Sequence, residues 1–224
     1  YQDPLGRTYL TYFSAPPGQS NPYRISYFTT IGLEWLRIDP DGVSTLFAYN
    51  GKGEREYTAT DMNGDYTIST NSLDRVTRTI SDVISNYGTT VLRTRTYAWA
   101  TNNSSTSTLI RTDEVSADGL RSWSSGFGLT HQTIIAYSGS GNKTITKIAP
   151  DNSYVVTQFT NGYTASVTRY SAQSAVLTSE SYGYDAHGRR TTVTDLRNGA
   201  TTLLHNDSDR VYSITTPHPG APQP

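Results

Sequence analysis

The chain of 224 residues has no cysteine, one methionine and only 17% charged side chains beside 34% hydrophobic ones. The missing cysteine excludes a disulfide framework and any thiolate metal centre. A net charge of −1 leaves no basic surplus for a phosphate backbone, so no nucleic-acid partner is expected. No apolar run approaches the roughly 18–20 residues that span a bilayer, so no membrane span is expected either. The opening "YQDPLGRTY" carries neither a basic nor an apolar leader region, and the chain reads as a piece of something longer. Long helical periodicity is almost missing too.

What the chain has in abundance is Thr, Ser and Tyr, with 17 tyrosines against 5 phenylalanines. Aromatic and β-branched side chains suit a pleated, half-buried surface, and such richness is foreign to disordered chains. The stretch Ser72 to Gly88 admits a helical reading through Leu73, Val76, Ile80, Val83 and Ile84, yet its residues also alternate at period two. Its Thr and Ile density favours a strand. Turn signals punctuate the remainder at Asn50-Gly51-Lys52-Gly53, Asp61-Met62-Asn63-Gly64, Pro150-Asp151-Asn152-Ser153 and Asn161-Gly162. Strands are expected between them, one over "DYTIST" included.

These signals recur at a near-constant step. Tyr184 to His205 is 21 positions, as is Gly188 to Asp209, and Tyr49 to Gly53 maps 21 positions on to Thr70 to Asp74. A fixed period near 20 residues points to a repeat array, here one hairpin per repeat. The expected organisation is an array over residues 1–216, with an irregular insert at about 80–145, and a Pro-rich tail at 217–224 that leaves the sheet.

The phrase "YDAHGRRTTVTDLRNGATTLLHNDSDRV" resembles the YD repeat of the Rhs family. The likeness rests on Tyr184, Asp185, Gly188, Arg189, Asp195, Asn198 and Gly199. It extends to "YQDPLGR" and to Asp39, Gly42, Tyr49, Asn50 and Gly53, and is degraded at Asn71, Asp74 and Arg75 and at Asp209 with Arg210. The resemblance implies an all-β fold of consecutive antiparallel hairpins in a curved, spiralling sheet. Such sheets form shells in bacterial Rhs toxins, in the C components of Tc toxins and in teneurins, and in bacterial members the shell encloses a toxin. It implies a secreted or surface-exposed, most often bacterial, protein.

The residues themselves make physical sense of the phrase. Gly188 and Gly199 sit where tight turns need positive φ. Asp185 and Asp195 can accept N–H bonds inside their own turns. Tyrosines on adjacent hairpins are expected to form a ladder at about 4.8 Å, and Arg189 and Arg210 to meet an Asp of the neighbouring repeat. One face should carry Tyr, Val, Ile and Leu, the other Thr, Ser and Asn. An excised array exposes sheet edges, so neighbouring repeats or another copy are the expected partners.

Chemistry-bearing constellations are thin. Asp3-Pro4-Leu5-Gly6 and Asp39-Pro40-Asp41-Gly42 resemble in part the Asp-Pro-x-Gly motifs of the self-cleaving core of toxin-bearing Rhs shells. The residues after each Gly, and the separation, depart from that pattern, and ordinary turns are expected. His131, His187, His205 and His218 lack metal-ligand spacing, "GSGNKT" lacks phosphate-loop spacing, and no catalytic residue, metal or cofactor is expected. Trp35, flanked by Leu33, Leu36 and Ile38, is assigned to the core. Trp99 and Trp123, near polar loops, are the candidates for contact with a glycan or cell-surface partner. Sequons at Asn102, Asn103, Asn142 and Asn206 are of the number chance provides in a Ser/Thr-rich chain.

Overall fold

A computed structural model describes residues 1–99, 105–139 and 141–217. The described residues are all β, with no helix. The sequons at Asn102 and Asn103, His218 and most of the Pro-rich tail lie outside them. The protein divides into two compact units, one of residues 1–83 and 93–112, the other of 84–92 and 113–224.

In the first unit β1 (Leu10–Tyr12), β2 (Tyr23–Phe28), β3 (Glu34–Ile38), β4 (Ser44–Tyr49) and β5 (Arg55–Asp61) pair antiparallel in chain order, and β5 pairs on to β6 (Arg75–Asn86). β6, β7 (Thr89–Ala98) and β8 (Thr108–Ser116) contribute residues to both units. The second unit continues with β9 (Arg121–Gly126), β10 (Leu129–Tyr137), β11 (Lys143–Ile148), β12 (Tyr154–Thr160) and β13 (Tyr163–Tyr170). It ends with β14 (Val176–Tyr184), β15 (Arg190–Asp195), β16 (Gly199–His205) and β17 (Val211–Thr215), and each strand from β9 to β17 pairs antiparallel with the next. Residues 75–86 are the strand their alternation predicts. The span 80–145 departs from the motif but not from the fold: it holds β7 to β10, joined in part by two-residue turns at Tyr87-Gly88 and Phe127-Gly128.

The core is one row across one sheet face. Leu36, Leu46, Ala59 and Val76 are cross-strand neighbours on β3 to β6 and all are buried. Ile38, Tyr57 and Trp99 pack against them. The opposite face carries Thr45, Thr58, Thr60 and Thr77, and also the buried Phe47, whose ring lies under the guanidinium groups of Arg55 (3.8 Å) and Arg37 (5.2 Å). In the second unit the expected division into an apolar and a polar face fails. Ile135, Ile145 and Val167 lie in one cross-strand row, Ile148, Tyr154 and Tyr170 in a row on the other face. A single layer of sheet leaves both faces half exposed, so neither has to be wholly apolar.

Three further expectations are corrected. "DYTIST" is no strand: residues 62–74 form a loop held by two buried carboxylates. Asp61 accepts from the N–H groups of Gly64 (2.7 Å) and Tyr66 (3.0 Å), Asp74 from those of Met62 and Ser69 (both 3.1 Å). Asp74 is therefore a loop anchor, and the mapping of Tyr49–Gly53 on to residues 70–74 does not hold. Trp35 is not core. A bulge between Phe28↔Glu34 and Tyr27↔Leu36 leaves it without a cross-strand partner, 36% exposed, its ring 6.2 Å from that of Tyr27.

Candidate functional site

One five-residue turn is built again and again. Starting at residues 3, 29, 39, 50, 149, 171, 185 and 206, the first N–H donates to the fifth carbonyl and the fourth N–H to the first carbonyl, at 2.7–3.0 Å. The fourth residue always has positive φ: Gly6, Gly32, Gly42, Gly53, Gly188, but also Asn152 (64°), Ser174 (62°) and Asp209 (59°). Asp209 thus occupies the glycine position in fact as well as in alignment. Where the first residue is Asp, Asn, Ser or Thr its side chain caps the turn, Asp39 alone excepted. Asp185 Oδ1 accepts from His187 and Arg189 N–H (both 2.9 Å), and Asn50 Oδ1 and Asn206 Oδ1 take the same pair of positions in their turns. Where Asp39 and Ala149 open the turn, the Asp at its third position, Asp41 or Asp151, accepts the fifth N–H instead.

A ring precedes five of these turns: Phe28, Tyr49, Tyr170, Tyr184 and His205. At each the register slips by one residue. The phenol of Tyr49 donates to the Glu34 carbonyl (2.7 Å) and that of Tyr184 to the Thr164 carbonyl (2.9 Å), tying each turn to the strand before it. His205 Nδ1, buried, finds no partner among the described residues. In the second unit tyrosines meet in pairs on neighbouring strands, Tyr163 with Tyr184 at 5.0 Å and Tyr154 with Tyr170 at 4.6 Å, and in the first unit Tyr1, Tyr12 and Tyr23 follow one another at 5.9 and 5.8 Å. The expected ladder is confined to these short runs.

Turns on one edge of the second unit are linked in series. Gly162 N–H donates to Gly141 O (3.0 Å) and Asn161 N–H to Asn142 Oδ1 (3.2 Å). The Tyr163 hydroxyl lies so close to Gly188 that a Cβ there would sit 2.3 Å from it. Arg189 clamps its own turn through Asp185 Oδ2 (2.7 Å) and reaches the next through Asp209 Oδ1 (2.7 Å). On the other edge Asp195 caps its turn by accepting from Arg197 and Asn198 N–H, Gly199 takes φ 83°, and Arg197 donates to the Leu177 carbonyl (3.0 Å). Arg210 gives its N–H to Asn206 and forms no ion pair among the described residues.

These groups have no spare chemistry. Partial burial alone would raise the Asp185 carboxyl, but the Arg189 and His187 donors outweigh it and hold it down to about 2. An ionised carboxylate whose oxygens are both occupied neither accepts nor delivers a proton at neutral pH. Asp3 is likewise locked to Arg7, and Asp39 to Arg24 (2.7 Å). Among the described residues no group of three or more His, Asp or Glu could hold a metal ion, and no helix is long and apolar enough to cross a membrane.

Trp123 is buried and stacked on Tyr87 (4.1 Å, 14°), Trp99 packs beside Tyr57 (6.3 Å) against the first unit's core, and Trp35 is the exposed one. The turns at 29 and 171 escaped the sequence reading because neither opens with Tyr-Asp. A ring followed by Ser or Thr, as in Phe28-Thr29 and Tyr170-Ser171, is the signal that would have found them.

Comparison with known proteins finds no matching protein-family model and no matching curated protein. Solved structures do match. A TcdB2–TccC3–Cdc42 crystal structure aligns at a TM-score of 0.37 and 11% identity over 87% of this chain. A TcdB2–TccC3 crystal structure aligns at 0.35 and 11%, and a Photorhabdus luminescens Tc holotoxin pore at 0.34 and 12%, both also over 87%. This chain spans 13% of the length of each.

Proposed function

We propose that the chain is a non-catalytic structural segment, a stretch of β-sheet wall of the Rhs type, working as part of a longer secreted or surface-exposed protein. The observation that carries this reading is the recurrent turn. Its Asp, Gly, Arg and Tyr, the very residues of the YD phrase, are spent on capping the bend, bonding the previous strand and clamping the next turn. Residues that define a motif and yet serve only to join one hairpin to another are architectural. Cargo enclosure, as in the toxin-bearing members of the family, is the larger role this reading assigns to the parent protein. Neighbouring repeats, or a second copy, are its partners.

Exchanging turns tests the reading. Replacing residues 185–188 with the sequence of residues 50–53, Arg189 retained, should leave far-UV circular dichroism unchanged and the melt nearly so, because both turns have one geometry and an Asx cap. A swapped chain that no longer folds would count against interchangeable repeats. Intact mass after long incubation supplies the functional arm and should show the uncut chain. Cleavage next to Asp3 or Asp39 that disappears in Asp3→Asn or Asp39→Asn would replace a wall with a self-processing element.

A further inference from the structure

The second unit carries a concavity of about 570 Å³, within the range of small-ligand sites. Its polar lining is Arg121, Gln132 and Asn152, with Thr130, whose hydroxyl is bonded to that of Ser125 (2.8 Å), and its apolar lining includes Leu129, Ile148 and Pro150. Tyr87 and Trp123 also line it. Register explains the convergence: Arg121 and Trp123 alternate on to one face of β9, and Gln132 is the cross-strand partner of Trp123 and of Ile148. Asn152 comes from the turn that follows, at φ 64°.

Two features of this hollow bear on a ligand. First, three of its polar side chains, Arg121, Gln132 and Asn152, are uncommitted. Most arginines with a structural task here sit on a carboxylate, as Arg7, Arg37, Arg78 and Arg189 do. Arg121 is half buried with its guanidinium 5.8 Å from the Trp123 ring centre, and it forms no ion pair among the described residues. The side-chain amides of Gln132 and Asn152 make no hydrogen bond to described protein groups. Second, an aromatic ring is held there under strain. Tyr87 is a bulky residue at φ 49°, stacked on Trp123, where Asn or Gly would be easy. The buried Glu114 beside it takes a hydrogen bond from Asn86 (3.0 Å), and 45% of Tyr87 remains exposed. Backbone strain that fixes a side chain at a hollow points to use of that side chain.

We propose that this concavity binds an acidic sugar residue of a glycan, Arg121 taking the carboxylate, Gln132 and Asn152 the hydroxyls, and the exposed part of Tyr87 the ring's C–H face. A guanidinium whose nearby carboxylate, Asp118, lies beyond ion-pair distance and is held by Ser116 and Leu120 keeps its donors for an anion. Two free amides and an aromatic ring select a ring-shaped polyol over an acidic peptide side chain. The site goes beyond the structural reading, since a wall segment needs no ligand, and its failure would leave that reading intact.

Titration calorimetry on the intact chain decides the matter. The probes are a tetrasaccharide alternating glucuronate with N-acetylglucosamine, chitotetraose as neutral counterpart and tetraglutamate as acidic peptide. Saturable binding of the acidic sugar is expected, weakening with salt, with at least tenfold preference over both other probes. Arg121→Gln should lower that affinity about ten- to a hundredfold, as loss of a charged hydrogen bond does. Lys147→Gln, on the opposite sheet face, should leave it unchanged. Circular dichroism verifies folding of each variant, and Tyr87→Asn, which suits positive φ, provides an independent loss should Arg121→Gln misfold. No binding of the acidic sugar, equal binding of chitotetraose, tighter binding of the peptide, or equal loss in Lys147→Gln would each overturn the proposal.

Discussion

Gly53 and Gly188 sit at the same position of the same turn, at φ 80° and 78°, and differ in one respect. A Cβ on Gly53 would meet nothing within 4 Å, whereas one on Gly188 would meet the Tyr163 hydroxyl at 2.3 Å and its ring carbon at 2.8 Å. Alanine at either position carries the left-handed penalty of roughly 1–2 kcal/mol, less about 0.4–1 kcal/mol recovered from a stiffer unfolded chain. Gly53→Ala should therefore cost about 1 kcal/mol. Gly188→Ala should add an overpacking cost of roughly 1–3 kcal/mol, because the ring must leave its seat on the neighbouring turn. Hydrogen exchange of the strands flanking each turn, β4–β5 and β14–β15, reads the two losses locally. Adding Tyr163→Ala to Gly188→Ala should return most of the difference, a coupling that independent sites do not show. Equal losses within about 0.5 kcal/mol, or simple additivity of the double variant, would refute the claim that turns dock on one another.

The ring that precedes the turn is open to the same treatment. Tyr49→Phe and Tyr184→Phe each remove one hydroxyl-to-carbonyl bond and should cost about 0.5–1.5 kcal/mol in urea melts, while His205→Tyr, at a position whose Nδ1 has no partner, should gain a similar amount. Because the Asp185 carboxyl is depressed to about 2 from an ordinary 3.8, its contribution is complete above pH 4 and is lost as pH falls towards 2. Asp185→Asn keeps an acceptor of the kind Asn206 provides, so it should fold and show a shallower fall in melting temperature across that window. Leu46→Ala, at 2% exposure in the core row, should cost about 2–5 kcal/mol, and Trp35→Thr, on the exposed bulge, should stay within about 0.5 kcal/mol by the same melts.

Legibility in the sequence was strongest where structure is set by near neighbours. Turns at Asn50–Gly53 and Asn161–Gly162, the strand over residues 75–86 and the all-β architecture follow from residues within five positions of one another. Positive φ and an Asx cap are decided inside the turn itself. It was weakest where a side chain's place depends on a partner strand. Trp35 is surrounded in sequence by apolar residues, as a core residue would be, but a bulge in the pairing of β2 with β3 leaves it unpartnered and exposed. Asp74 matched the repeat by spacing, yet in three dimensions it anchors a loop whose acceptors were needed by Met62 and Ser69. The hollow at Arg121 had one visible component, Trp123, because most of its other members come from β10, β11 and turns up to about 65 positions apart along the chain.

By itself, then, the sequence determined the local vocabulary: strands rich in Thr and Tyr, bends with a polar cap and a residue of positive φ, and a step near 21 between like phrases. Tertiary structure alone decided which face each strand shows, which turns touch and which arginines find a carboxylate. The physical reason is the period of two. One bulged residue inverts every side chain beyond it, and pairing across the sheet, not the neighbours along the chain, decides where that residue is placed.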